Sequence, residues 1–203
     1  MIAIVDYGVG NLFSLKSSFE AIGEKAVVSG EPQELKAASG IILPGVGAFG
    51  DAVDKLRRTG LDRILKEEAS AGKPILGICL GMQMLFDRSF EYGEHEGLGL
   101  IHGDIVPMQG KLPENLKIPH IGWNRLEFER KDCPLFQYVS DGDYMYFVHS
   151  YYADNCSEDL VASTEYGLKI TAAVAHGNIY GCQFHPEKSG DKGLSILKAF
   201  CEM

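Results

Sequence analysis

Short apolar runs alternate with stretches of helical spacing as far as Phe86, and that alternation leaves few folds open. Ile2–Tyr7, Lys25–Val28, Gly40–Leu43 and Ile75–Ile78 read as strands. Between them Leu12, Leu15, Phe19 and Ile22 recur at helical intervals, and Gly23 closes the segment. Val53 and Leu56, then Leu61, Ile64 and Leu65, repeat the pattern. Strand and helix in turn build a parallel, doubly wound sheet. Beyond Gly97 the texture changes. Gly97–Val106, Asn124–Glu129, Asp143–Ala153, Leu160–Glu165 and Ala172–Phe184 are rich in Val, Ile, Tyr and Phe. Ala175-His176-Gly177-Asn178 has the composition of a hairpin tip. This half is expected to be β-rich and partly antiparallel, closed by a helix through Leu194, Leu197 and Phe200. With no repeat or linker, residues 1–203 are expected to form one α/β domain.

One strand-to-helix junction carries chemistry. Ile75–Ile78 reads as a buried strand and Met82–Phe86 as a helix, with Cys79 between them, flanked by Gly77 and Gly81. Gly-x-Cys-x-Gly is the nucleophile-elbow pattern with sulfur in place of the serine oxygen. A sharp turn projects the central side chain and requires small residues two positions away on each side. A helix N-terminus also favours a thiolate. The same five residues fit a small buried cysteine in a glycine-rich turn, so partners elsewhere decide.

Gln183-Phe184-His185-Pro186-Glu187 supplies them. Pro186 biases His185 toward extended backbone, and period-two geometry then points His185 and Glu187 the same way. A histidine with a carboxylate beside it is the base and orienter that a cysteine nucleophile needs. An ordinary thiol is only about 3% thiolate at pH 7, so a neighbouring imidazolium matters. His95, His102, His120, His149 and His176 lack this arrangement and read as surface or packed side chains. Pro44-Gly45-Val46-Gly47 ends another strand, where paired glycines let backbone N–H groups turn outward, as an oxyanion hole requires. Gly8-Val9-Gly10 falls short of a dinucleotide fingerprint, because Phe13 holds the third glycine position.

Charge and cysteine usage narrow the classes. A net charge of −9 argues against a nucleic-acid binder and offers no basic membrane-facing patch. Five scattered cysteines without a Cys-x-x-Cys pair suggest neither a disulfide framework nor a structural zinc, and no metal is expected. The N-terminus has no signal-like segment and no apolar run approaches a membrane span, so a cytoplasmic location is expected.

Gly77–Gln83 together with Phe184–Glu187 resembles the class I, triad-type glutamine amidotransferases. Asp6–Leu12, Pro44–Phe49, Ile118–Asn124, Tyr146–Tyr152 and His185–Ser189 resemble, more narrowly, the branch serving histidine biosynthesis. Pro-His-x-Gly-Trp-Asn at Pro119–Asn124 is the most specific of these stretches, and Met84 stands where leucine is usual. The resemblance implies a flavodoxin-like α/β fold, an open twisted mixed sheet with flanking helices. It implies hydrolysis of glutamine through a cysteinyl thioester, with Cys79 as nucleophile, His185 as base and Glu187 as its orienter. Backbone N–H groups near Val46, Gly47 and Leu80 would hold the oxyanion. Gly47, Gln83, Glu91, Ser150 and Tyr151 would contact glutamine, although Glu91 alone reads as a solvated loop acid. No cofactor is implied. The ammonia would pass to a separate cyclase subunit in a heterodimer, with Asn11, Trp123, Asn124, Tyr146 and Lys188 facing that partner. Three rival readings stand beside this one. They are the glutaminase of anthranilate or aminodeoxychorismate synthase, a cysteine peptidase or esterase, and a non-enzymatic flavodoxin-like binding module.

Overall fold

A computed structural model describes residues 1–203. The chain begins β1 (Ile2–Val5), α1 (Leu12–Ala21), β2 (Ala26–Ser29), α2 (Pro32–Ala37), β3 (Gly40–Leu43), α3 (Phe49–Arg58), α4 (Leu61–Ser70), β4 (Ile75–Ile78) and α5 (Leu80–Met84). Five strands follow: β5 (Phe86–Ser89), β6 (His95–Glu96), β7 (Ile101–Pro107), β8 (His120–Arg125) and β9 (Glu127–Phe128). The remainder is β10 (Tyr144–His149), β11 (Tyr151–Asp154), β12 (Leu160–Glu165), β13 (Lys169–His176), β14 (Ile179–Cys182) and α6 (Gly190–Cys201).

Eight strands form the main sheet, in the order β2-β1-β3-β4-β14-β13-β12-β9. The first five run parallel and the remaining pairings are antiparallel, the mixed α/β sheet expected. The arrangement sets β4, which leads into Cys79, directly beside β14, which leads to His185. Ile75 pairs with Ile179 and Ile78 with Cys182.

β1, β3, β4 and β14 are buried along their whole length. Helices cover both faces of such strands, which is why they read as unbroken apolar runs. Successive residues serve opposite faces: Ala3, Val5, Ile41 and Leu43 pack toward α3 and α4, while Ile2, Ile4 and Ile42 pack toward α1 and α6. On α3 the buried set is Phe49, Ala52, Val53 and Leu56, one helical stripe.

One expectation changes. Met82–Phe86 is not one helix, because α5 stops at Met84 and Phe86 opens β5, in a second sheet ordered β11-β7-β5-β6. The β-rich stretch Asp143–Ala153 divides at Ser150 into β10 and β11, which join different sheets. Helix α2 gave no sequence signal, since Leu35 is its only buried residue and one position makes no period.

Candidate active site

The elbow is present. Cys79 adopts φ 54°, ψ −112°, a conformation that costs a residue with a Cβ and persists only where its surroundings enforce it. The flanking glycines are there for space. A Cβ on Gly77 would lie 2.6 Å from the Met82 nitrogen, and one on Gly81 would run into the Leu43 carbonyl. Neither glycine position has room for a side chain. The Cys79 N–H donates to the Cys182 carbonyl at 2.8 Å, locking the elbow to β14. Since α5 begins at Leu80, the Leu80 N–H has no acceptor within the helix.

His185 Nδ1 and Glu187 Oε1 are 2.8 Å apart, with side chains only 5% and 2% exposed. The pairing has a different origin from the one expected. Pro186–Lys188 forms a 3₁₀ turn, which folds Glu187 back onto His185 in place of an extended alternation. The loop is pinned on both sides. The His185 N–H donates to the Tyr146 carbonyl at 2.9 Å. Ser189 Oγ donates to the His185 carbonyl and accepts the Tyr146 N–H. Burial alone lowers the His185 pKa, but its interactions with the Cys79 sulfur and the Glu187 carboxylate outweigh that and raise it to about 9. Both acceptors favour the protonated imidazole.

A pocket of about 340 Å³ opens above the elbow. Val46, Gly47, Cys79, Leu80, Gln83, Glu91, Ser150, Tyr151, His185 and Lys188 line it, and Glu187 stands behind His185. The break between β10 and β11 is what brings Ser150 and Tyr151 to the wall. Glu91 is no free loop acid: its Oε2 accepts the Phe49 N–H at 2.6 Å, at the N-terminus of α3. Burial, with Glu91 and Tyr92 nearby, raises the Tyr151 phenol pKa.

A two-stranded ribbon, β8 with β10, borders the pocket, with Trp123 opposite Tyr146 in register. Met145, Phe147 and His149 point inward, whereas Ile121, Trp123 and Tyr144 are exposed. Trp123, at 52% exposure, is a surface residue, its ring 6.0 Å from that of Tyr146. Asn11 and Asn124 spend their side chains internally. Asn11 Oδ1 accepts the Ser14 N–H and caps α1. Asn124 Nδ2 donates to the Glu165 carbonyl at 2.8 Å, and its Oδ1 lies 3.0 Å from His120 Nε2.

Three features had no sequence signal. His120 and His149 are both buried, and His149 lines the pocket. Gln183 is fully buried with its amide on Cys79. Tyr7 donates its hydroxyl to the Pro44 carbonyl at 2.8 Å, bracing the turn that carries Val46 and Gly47. Only the alternation of β8 and β10, read with their pairing, would have set His120 beside His149.

The family profile described as Glutamine amidotransferase class-I matches residues 3–203. Imidazole glycerol phosphate synthase subunit HisH of Sulfurimonas denitrificans is 53% identical over 202 residues, 98% of this chain and 97% of that protein. The HisH subunit of Bacillus subtilis is 48% identical across 100% of this chain and 96% of its own length. Among solved structures, PurLQS from Thermotoga maritima superposes with a TM-score of 0.78 at 21% identity, covering 99% of this chain and 97% of that one. A crystal structure of a glutamine amidotransferase gives 0.76 at 18% identity, over 99% of this chain and all of that one. Identities this low speak to the fold alone. Identity near one half along the full length speaks to family: the chain belongs to the class-I glutamine amidotransferases, in the branch of the imidazole glycerol phosphate synthase subunit HisH.

Proposed function

We propose that residues 1–203 act as one glutaminase domain, the glutamine-hydrolysing subunit of a cytoplasmic, heterodimeric imidazole glycerol phosphate synthase. Its ammonia goes to a cyclase subunit that makes imidazole glycerol phosphate and AICAR in histidine biosynthesis. One observation carries the reading: Cys79 and the His185–Glu187 pair meet at a single pocket in a chain 53% identical to a HisH subunit. Identity of that order to HisH along the whole chain also favours this acceptor over anthranilate or aminodeoxychorismate synthesis.

With the proton on His185, the Cys79 sulfur attacks the side-chain amide carbon of glutamine. The amide oxygen becomes an oxyanion, met by the N–H groups of Leu80 and of the Val46–Gly47 turn. His185 gives its proton to the nitrogen, the C–N bond breaks and ammonia departs, leaving a thioester. Neutral His185 then takes a proton from water as the hydroxide adds to the thioester carbon. Collapse expels the Cys79 thiolate, and glutamate leaves after losing one proton to solvent. Glu187 holds Nδ1 throughout, so that Nε2 faces the reaction. Glu91 and Tyr151 sit where they can receive the α-ammonium group, and Ser150 offers a hydroxyl.

The exposed ribbon supports a docking role. Trp123 and Tyr146 present aromatic surface of the kind that anchors interfaces, and Lys188 stands at the pocket rim. The main chain of Tyr146 is also the anchor of His185 and Ser189, so a partner pressing on the ribbon acts directly on the base.

Glutamate release by the purified chain, alone and with a cyclase subunit plus its nucleotide substrate, tests the reading. Partner-dependent turnover that disappears in Cys79→Ala is the expected result. Turnover that survives Cys79→Ala sinks the mechanism, and turnover indifferent to the cyclase moves the acceptor elsewhere.

A further inference from the structure

Gln183 has no role in the chemistry above, yet it touches the reacting atom. Its side chain is wired through two other groups whose polarity leaves no choice. The Tyr151 carbonyl only accepts, so Gln83 turns its Nε2 toward it, at 3.1 Å. The same Nε2 directs its other hydrogen to the Gln183 side chain at 2.9 Å, so the atom that meets it is Oε1. Gln183 therefore presents its own Nε2 to Cys79 Sγ, at 3.6 Å. Both amides are buried, and the Gln183 N–H is tied to the Ala172 carbonyl at 2.9 Å, which fixes the backbone from which the side chain reaches.

We propose that Gln183 is a further catalytic residue, a neutral hydrogen-bond donor that holds the Cys79 thiolate, and that Gln83 positions it. The proposal rests on the reading of Cys79 as nucleophile. A neutral donor suits the place: it stabilises negative charge on sulfur without competing with His185 for a proton. Its bond is strongest whenever sulfur is anionic, which is before attack and again as the thioester collapses, and weakest in the neutral thioester between. A second consequence concerns glutamine. Both hydrogens of Gln83 Nε2 are committed, so the substrate meets Gln83 only at its Oε1, as a donor to it.

Alkylation of Cys79 by iodoacetamide, followed by mass spectrometry of the Cys79 peptide between pH 5 and 9, reads the thiolate without glutamine. In Gln183→Met, of similar volume, the pH midpoint of alkylation is expected to rise by about one unit, a tenfold loss of rate on the acidic limb. Gln183→Glu, which keeps the shape and sets a carboxylate against sulfur, is expected to raise it further. Gln83→Met, which frees Gln183 to turn over, is expected to give a smaller rise. A profile for folded Gln183→Met or Gln183→Glu that superimposes on the wild type overturns the proposal. Because the probe is iodoacetamide, that failure is separate from failure of glutamate release in the assay with the cyclase.

Discussion

His149 Nε2 lies 3.1 Å from His120 Nδ1, two buried imidazoles in contact at the back of the pocket. His149 Nδ1 pairs with the Tyr151 carbonyl at 2.8 Å, and His120 is stacked against Phe147 and Tyr166. Burial, with His120 and His185 close by, lowers the His149 pKa to about 3. Burial also lowers that of His120, opposed by Asn124. A folded-state pKa below the unfolded value means that the unfolded chain binds the extra proton first, so acid favours unfolding. Between about pH 6.5 and 3 the His149 contribution is expected to make stability fall by up to about 1.4 kcal/mol per pH unit. Urea midpoints across that range, compared with those of His149→Leu, check it: the variant loses this part of the slope. His185 has the opposite sign, since its pKa of about 9 makes its contribution fade as pH rises from about 6.5 to 9.

Glu187→Gln keeps the volume but lets Nδ1 face an amide of either polarity. By analogy with other triads the rate of glutamate release is expected to fall by about 10²–10⁴, with much smaller change in KM. Partner-activated steady-state kinetics check it. An unchanged kcat would remove Glu187 from the mechanism.

Glu91→Gln removes a charge that serves both the pocket and the start of α3. KM for glutamine is expected to rise by more than kcat falls. The melting temperature should drop by the equivalent of about 1 kcal/mol, the usual worth of a helix N-terminal acceptor. The same preparation supports both measurements.

Trp123→Ala on the exposed ribbon should leave folding intact, because about half of the side chain already faces solvent and none of it belongs to the buried core. Affinity for the cyclase subunit is expected to fall by about 2 kcal/mol, roughly thirtyfold, as for an aromatic interface anchor. Calorimetric titration of the two subunits measures it.

Gly81→Ala is expected to destabilise by more than about 3 kcal/mol, because its Cβ meets the Leu43 backbone, which cannot swing away as a side chain tip would. Denaturant unfolding reads the loss. Gly8→Ala, with nothing within 4 Å of the added carbon, has only its positive φ to contend with and should cost much less.

What was legible in the sequence was whatever a local pattern writes. The buried parallel strands appear as apolar runs, the Cys79 elbow as two glycines around one residue, and α3 and α4 as helical stripes. His185 and Glu187 were paired correctly for the wrong geometric reason, since a proline that favours extended backbone before itself also starts the 3₁₀ turn after it. Glu91 read as solvated because β5 and β6 form a short hairpin with little buried pattern. Gln183 and the His120–His149 pair were out of reach altogether. Their roles exist only through contacts 104 and 29 positions away along the chain.

The pairing of β4 with β14 also sets a timetable. During synthesis the elbow cysteine leaves the ribosome long before the strand that clamps its N–H and delivers its base. Until β14 arrives, the nascent chain has β4 as an unpaired edge and a thiol with no base near it. Closing so long a loop is slow, and parallel pairing of this kind comes late in folding. Reactivity toward glutamine therefore cannot precede completion of the sheet.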